Sequence, residues 1–76
     1  MRADEQQLLL EITHKESFVA VRQIINDAAR YIHHKRAWRI LEKWTRKGWY
    51  EYGVCLDLGW LTEAGRQQAE KITVPS

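Results

Sequence analysis

A single cysteine, Cys55, gives an internal disulfide no second thiol, and no CxxC or His/Cys spacing offers a structural zinc site. No apolar run approaches the ~20 residues needed to span a bilayer. The chain opens Met1, Arg2 and then acidic and amide residues, without the apolar stretch of a secretory leader, so a soluble, cytoplasmic protein is expected. Paired carboxylates, a Ser/His/Asp set and a Gly-rich phosphate loop are all missing, so neither an enzyme nor a cofactor is expected. Repeats, low-complexity stretches and linkers are also lacking. The chain therefore reads as one domain, 1–76, with a flexible tail expected over 73–76, where Pro75 lies.

Aromatic residues are plentiful. At 76 residues, folding removes roughly 60% of the unfolded chain's surface from water, so a small domain needs large side chains to build a core. Eight residues are aromatic and four of these are Trp, which lets a few side chains bury what many aliphatic ones bury elsewhere.

The net charge of +2 conceals a pattern. From Arg30 to Lys47 there are seven Lys or Arg against one acid, Glu42, giving +6; residues 1–29 carry three basic and five acidic groups and residues 48–76 two and four, so each flank is −2. A central cationic stripe between acidic flanks is the footprint expected of a nucleic-acid-binding element, although a solvated basic helix face would look the same.

Helical spacing of Leu8, Leu9 and Ile12, with Asp4 and Glu5 at the favourable N-terminal end, predicts a first helix over about 3–13. Val21, Ile24, Ile25 and Ala28 at i, i+3, i+4, i+7 predict a second of about ten residues capped by Ser17, with Phe18 and Val19 as an alternative short strand before it. Ala37, Ile40, Leu41 and Trp44 repeat the pattern in a third helix, about 34–47, whose other face is cationic and which Gly48 ends. After Gly48, aromatic and β-branched residues alternate with polar ones between glycines. This predicts a hairpin: Trp49 to Tyr52, a turn within 53–59, and a second strand ending at Leu61. Thr62 is placed to cap a last helix from Glu63 to about Ile72.

This order, mainly α with a small β-hairpin, resembles a winged helix-turn-helix domain: three helices, a two-stranded wing and a C-terminal helix. Leu41-Glu42-Lys43-Trp44-Thr45-Arg46-Lys47-Gly48-Trp49-Tyr50-Glu51 is similar to the stretch where that family's recognition helix passes into the first wing strand. Leu61-Thr62-Glu63-Ala64-Gly65-Arg66 resembles the LTxxGR segment joining wing to helix in MarR-type regulators. The two matches cover roughly 32–66. Two features depart from the pattern. The segment Ala29-Arg30-Tyr31-Ile32-His33-His34 lacks the glycine common between the second and third helices, and the wing carries Glu51 and Asp57 where wings entering a minor groove bring Arg or Lys.

The resemblance implies a small sequence-specific double-stranded DNA-binding protein, a transcription regulator with its third helix in the major groove. By position, His34, Lys35, Arg36 and Arg39 would face base edges, with Arg36 and Arg39 suited to guanine. Lys35 has a second possible role on phosphates, with Lys43, Arg46 and Lys47, and Ser17 or the second helix's N-terminus would add a further phosphate contact. One such module makes a modest interface, so a homodimer on DNA or a protein partner is expected. The small size suggests a phage or mobile-element regulator. The alternative is an interaction module of the same fold that binds a regulator, polymerase or nucleoprotein subunit through exposed aromatics and the acidic wing.

Trp44, Trp49 and Trp60 are expected in the core. Trp38 lies off the apolar stripe, at the core's edge by preference, with a dimer contact or stacking platform as alternatives. His33 and His34 point about 100° apart on a helix, with no third ligand at i+3 or i+4, so no metal site is expected. Cys55 reads as a small buried residue within a strand.

Overall fold

The computed structural model describes residues 1–73. Its elements are α1 (Ala3–His14), α2 (Val21–Asp27), α3 (His34–Lys47), β1 (Tyr50–Glu51), β2 (Trp60–Leu61) and α4 (Glu63–Thr73). Short 3-10 turns follow α2 at Ala28–Arg30 and precede β2 at Leu56–Leu58. The chain is thus mainly helical, with one small antiparallel two-stranded sheet in which Tyr50 faces Leu61 and Glu51 faces Trp60. Of the expected tail, Thr73 lies in α4 and the remainder is outside the described residues.

The core is a single cluster in which each helix contributes one apolar stripe. Leu8, Leu9 and Ile12 come from α1, Val21 and Ile25 from α2, Ala37, Ile40, Leu41 and Trp44 from α3, and Ala69 from α4. Tyr50 and Leu61 close it from the sheet. Trp44 is the largest fully buried side chain, and its one polar atom must find an acceptor inside the protein. Glu5, also buried, supplies it: the Trp44 indole Nε1–H donates to Glu5 Oε2 at 3.0 Å, and Lys43 Nζ reaches Glu5 Oε1 at 2.7 Å.

Helix ends account for the remaining joints. Gly48 adopts the left-handed conformation (φ 79°) and closes α3 with a double cap: its N–H donates to the Thr45 carbonyl, and the Trp49 N–H to the Trp44 carbonyl. The segment that resembles LTxxGR then joins three elements. Thr62 N–H donates to the Trp49 carbonyl at 2.9 Å, its hydroxyl donates to the Gly48 carbonyl at 2.7 Å, and the same hydroxyl accepts the Gly65 N–H at 3.1 Å as the cap of α4. Gly65 faces the Trp49 carbonyl oxygen so closely that a Cβ there would collide with backbone.

Several expectations need correction. Phe18 and Val19 form no strand; they lie in a turn, with Phe18 exposed. Ala20, not Ser17, occupies the cap position of α2, and no side chain caps it. The glycine-free link to α3 is made by the 3-10 turn, with His33 Nδ1 accepting the Lys35 N–H to cap α3. The strands are shorter than expected, and Cys55 sits ahead of the second 3-10 turn rather than in a strand. Trp60 is 50% exposed, because register with Tyr50 turns Leu61 inward and therefore Trp60 outward; Tyr50 takes the buried place. Desolvation pushes the Tyr50 hydroxyl up to about 12, so it stays protonated as it donates to the Leu56 carbonyl and accepts the Gly59 N–H.

Two outcomes follow from these contacts. Gly65→Ala should cost about 1–3 kcal/mol, because rigid backbone must move to admit the methyl. Gly53→Ala, with open space around it, should change stability by less than about 0.5 kcal/mol. Urea denaturation of both variants checks the contrast, and equal midpoints would refute it. The second outcome concerns pH. The Arg36 guanidinium bonded to Asp4 lowers that carboxyl from 3.8 to about 2, and Arg22 likewise holds Asp57 below the usual carboxylate range. For a depressed acid, the folded state binds fewer protons than the unfolded one. The stabilisation is therefore complete above about pH 4 and is lost as pH falls toward 2. Urea midpoints measured from pH 6 to 2 should fall less steeply for Asp4→Asn than for the wild type.

Candidate functional site

α3 carries the cationic stripe, and its stated bounds, His34–Lys47, coincide with those read from the sequence. The fold sorts its charges into two rows. Lys35, Arg39, Glu42 and Arg46 fall within about 60° of one another around the helix, whereas Arg36, Lys43 and Lys47 lie about 80–120° round from Lys35. Within the second row, Arg36 and Lys43 meet acids. Arg36 makes a bidentate pair with Asp4, Nε to Oδ2 at 2.7 Å and Nη2 to Oδ1 at 2.9 Å, and Lys43 meets Glu5. Arg30, ahead of the helix, pairs with Glu11, whose other oxygen accepts the Tyr31 hydroxyl at 2.9 Å. Burial and then the Glu11 carboxylate raise the Tyr31 hydroxyl well above its ordinary value. All three acids belong to α1, so α1 neutralises one side of the stripe.

The other row has no such partner. Lys35, Arg39 and Arg46 are exposed and make no ion pair among the described residues. His34, Lys35, Trp38, Arg39 and Glu42 line one shallow groove. A neighbouring groove shares Glu42 and continues past Thr45 and Arg46 to Tyr52 and Leu56 of the hairpin. Trp38 is 36% exposed at the middle of this face, its ring contributing to the groove rather than to the core cluster. The rings of His33 and His34 stack with centroids 4.8 Å apart at the N-terminal end.

Of the eight residues the sequence singled out, His34, Lys35, Arg39 and Arg46 share one continuous face. Arg36 and Lys43 are held by α1, and Lys47 lies over the Trp49 ring, 4.9 Å from its centroid, in a groove that also holds Glu5 and Lys43. Ser17 is exposed but lines a groove with Trp60, Leu61 and Arg66 that includes no residue of α3. Trp38, for which the sequence prefers the core's edge and leaves a stacking platform as an alternative, and Glu42, the one acid of the stripe, also lie on this face, where their spacing from His34 and Arg39 places them.

The hairpin has a different character. Asp57, read as an exposed wing charge, is buried and takes a bidentate pair from Arg22 of α2, at 2.7 and 3.1 Å. Glu51 is left as the hairpin's exposed charge, beside Tyr52 and Val54. No group of three or more His, Cys, Asp or Glu able to hold a metal occurs among the described residues, and no helix there is long and apolar enough to cross a membrane. Comparison with protein-family models, curated proteins and solved structures finds no match.

Because Arg36 is tied to Asp4, Arg36→Ala should act on stability, lowering the urea midpoint at pH 7. Arg39→Ala, removing an unpaired exposed side chain, should leave it unchanged within about 0.5 kcal/mol. Denaturation curves of the two variants check this, and equal destabilisation would contradict the division into two rows.

Proposed function

We propose that this protein is a winged helix-turn-helix domain that binds double-stranded DNA through the exposed face of α3 and serves as a small transcription regulator. The observation that supports this most is the unpaired row of Lys35, Arg39 and Arg46, with His34 and Trp38 beside it, on a helix where Arg36 and Lys43 are neutralised by α1 and Lys47 lies over the Trp49 ring. Unpaired cations on a rigid helix suit phosphates and base edges; paired ones gain little by exchanging a carboxylate for a phosphate. In this reading Arg39 pairs with guanine, His34 and Lys35 contact neighbouring base edges or phosphate, and Arg46 holds phosphate. Arg36, Lys43 and Lys47 position the helix rather than touch DNA, and Trp38 supplies apolar contact to thymine methyls.

The hairpin supports a second reading, an interaction module for a regulator, polymerase or nucleoprotein subunit, because Tyr52, Val54, Leu58 and Trp60 are exposed and no Lys or Arg lies between Lys47 and Arg66. Salt separates the two. With the three cations of this row on DNA, log affinity for the duplex should fall against log salt with a slope of about −2 to −3, whereas an aromatic protein contact responds little. Fluorescence anisotropy with a labelled mixed-sequence duplex at 50 and 200 mM salt is the measurement. Arg39→Ala should lose about 1–3 kcal/mol of binding, while Arg36→Ala, measured where it is folded, should stay within about threefold of wild type. Absence of wild-type binding at the lower salt would reject the DNA reading.

A further inference from the structure

A groove that shares no residue with the α3 face lies between the end of α1, β2 and the start of α4. Ile12 and Leu61 form its apolar floor, Trp60 stands half-exposed as one wall, and Lys15 and Arg66 supply its charge. Among the described residues, neither cation is satisfied by an acid. Lys15 Nζ reaches a backbone carbonyl, that of Glu16, at 3.4 Å, and Arg66 Nη2 the Leu61 carbonyl at 3.4 Å. Among the described residues, no carboxylate lines the groove. An apolar floor with two unneutralised cations fits apolar side chains carried within three residues of a carboxylate.

This chain displays that combination on its own hairpin. Val54 is 93% exposed and Tyr52 44%, at the tip that follows β1, and Glu51 precedes them as an exposed carboxylate with no ion pair. Asp57 cannot compete for the role, because Arg22 occupies it. The geometry points to a second copy of this chain as the occupant: the Glu51–Val54 segment of one molecule seats its apolar side chains on Trp60 and Ile12 of the next, with Glu51 facing Lys15 and Arg66. Each molecule carries both a donor and an acceptor surface, so every copy can give one such contact and receive one. The contact's area is far below that of a standard interface, so a Kd of about 0.1–1 mM is expected. The inference does not depend on the DNA reading, since neither surface includes the α3 face.

The test uses the protein without DNA. Heteronuclear NMR spectra and diffusion coefficients recorded from about 0.05 to 2 mM at low salt should show concentration-dependent shifts at both surfaces, and slower diffusion as concentration rises. Val54→Asp removes the donor and Arg66→Glu the acceptor, so each variant alone should remain monomeric with an unchanged melting temperature. Mixed together, they retain one intact donor and one intact acceptor, and should pair. Lys15→Glu serves as a second acceptor variant if Arg66→Glu is poorly folded. Monomeric wild type throughout the range, self-association surviving in both variants, or a mixture that stays monomeric would each overturn the inference.

Discussion

The carboxylate of Glu5 is the contact on which the rest of the arrangement depends. It is 3% exposed and would be costly to bury alone, yet it accepts both the Trp44 indole N–H and the Lys43 ammonium. Trp44 in turn could not be fully buried with its N–H unpaired, so each partner makes the other's burial tolerable. The pair fixes the N-terminal end of α1 against the C-terminal half of α3, and Asp4, one residue earlier, grasps Arg36 two turns back along α3. Two points of attachment set the rotation of α3 about its own axis. That rotation decides which cations are neutralised and which face outward.

The hairpin is held by a different set of contacts. Between β1 and β2 the chain returns to the protein instead of extending away from it, and Leu56 and Asp57 are buried by doing so. Tyr50 is the pivot: its hydroxyl bonds the Leu56 carbonyl and the Gly59 N–H, tying the start of the hairpin to its return. Arg22 of α2 then locks Asp57 across 35 positions of sequence. A hairpin anchored at both its base and its middle presents a fixed tip, so the exposure of Tyr52 and Val54 is a property of the fold.

The third helix was legible from the sequence because its apolar stripe and its stop signal agree. Ala37, Ile40, Leu41 and Trp44 give one face and Gly48 an end that other residues adopt only with strain. The fates of Arg36 and Lys43 were less visible, although both border the stripe through Ile40, at i−4 and i+3, and Asp4 and Glu5 stood ready as acids at the head of α1. What no spacing within one helix reveals is which helix packs on which row. Trp60 was misread for a simpler reason: size suggested burial, but in a two-residue strand the pleat decides, and Leu61 already held the inward position. The burial of Asp57 left no local signal, since its partner is on another helix.

The acidic flanks therefore do more than offset a basic centre. Three of the five acids in the N-terminal flank, Asp4, Glu5 and Glu11, pair with cations in or next to α3. What remains outward on α3 is the row of Lys35, Arg39 and Arg46 with Glu42, and Lys47 over the Trp49 ring, a smaller charge than the +6 of the whole stripe but one held in fixed positions. The other flank contributes a hairpin with one exposed acid and several exposed apolar side chains. A polyanion drawn to the first surface has no electrostatic reason to extend onto the second, and an apolar or cationic partner of the second has none to compete for the first. The same ion pairs that hold α1 to α3 thus leave the molecule with two chemically distinct surfaces.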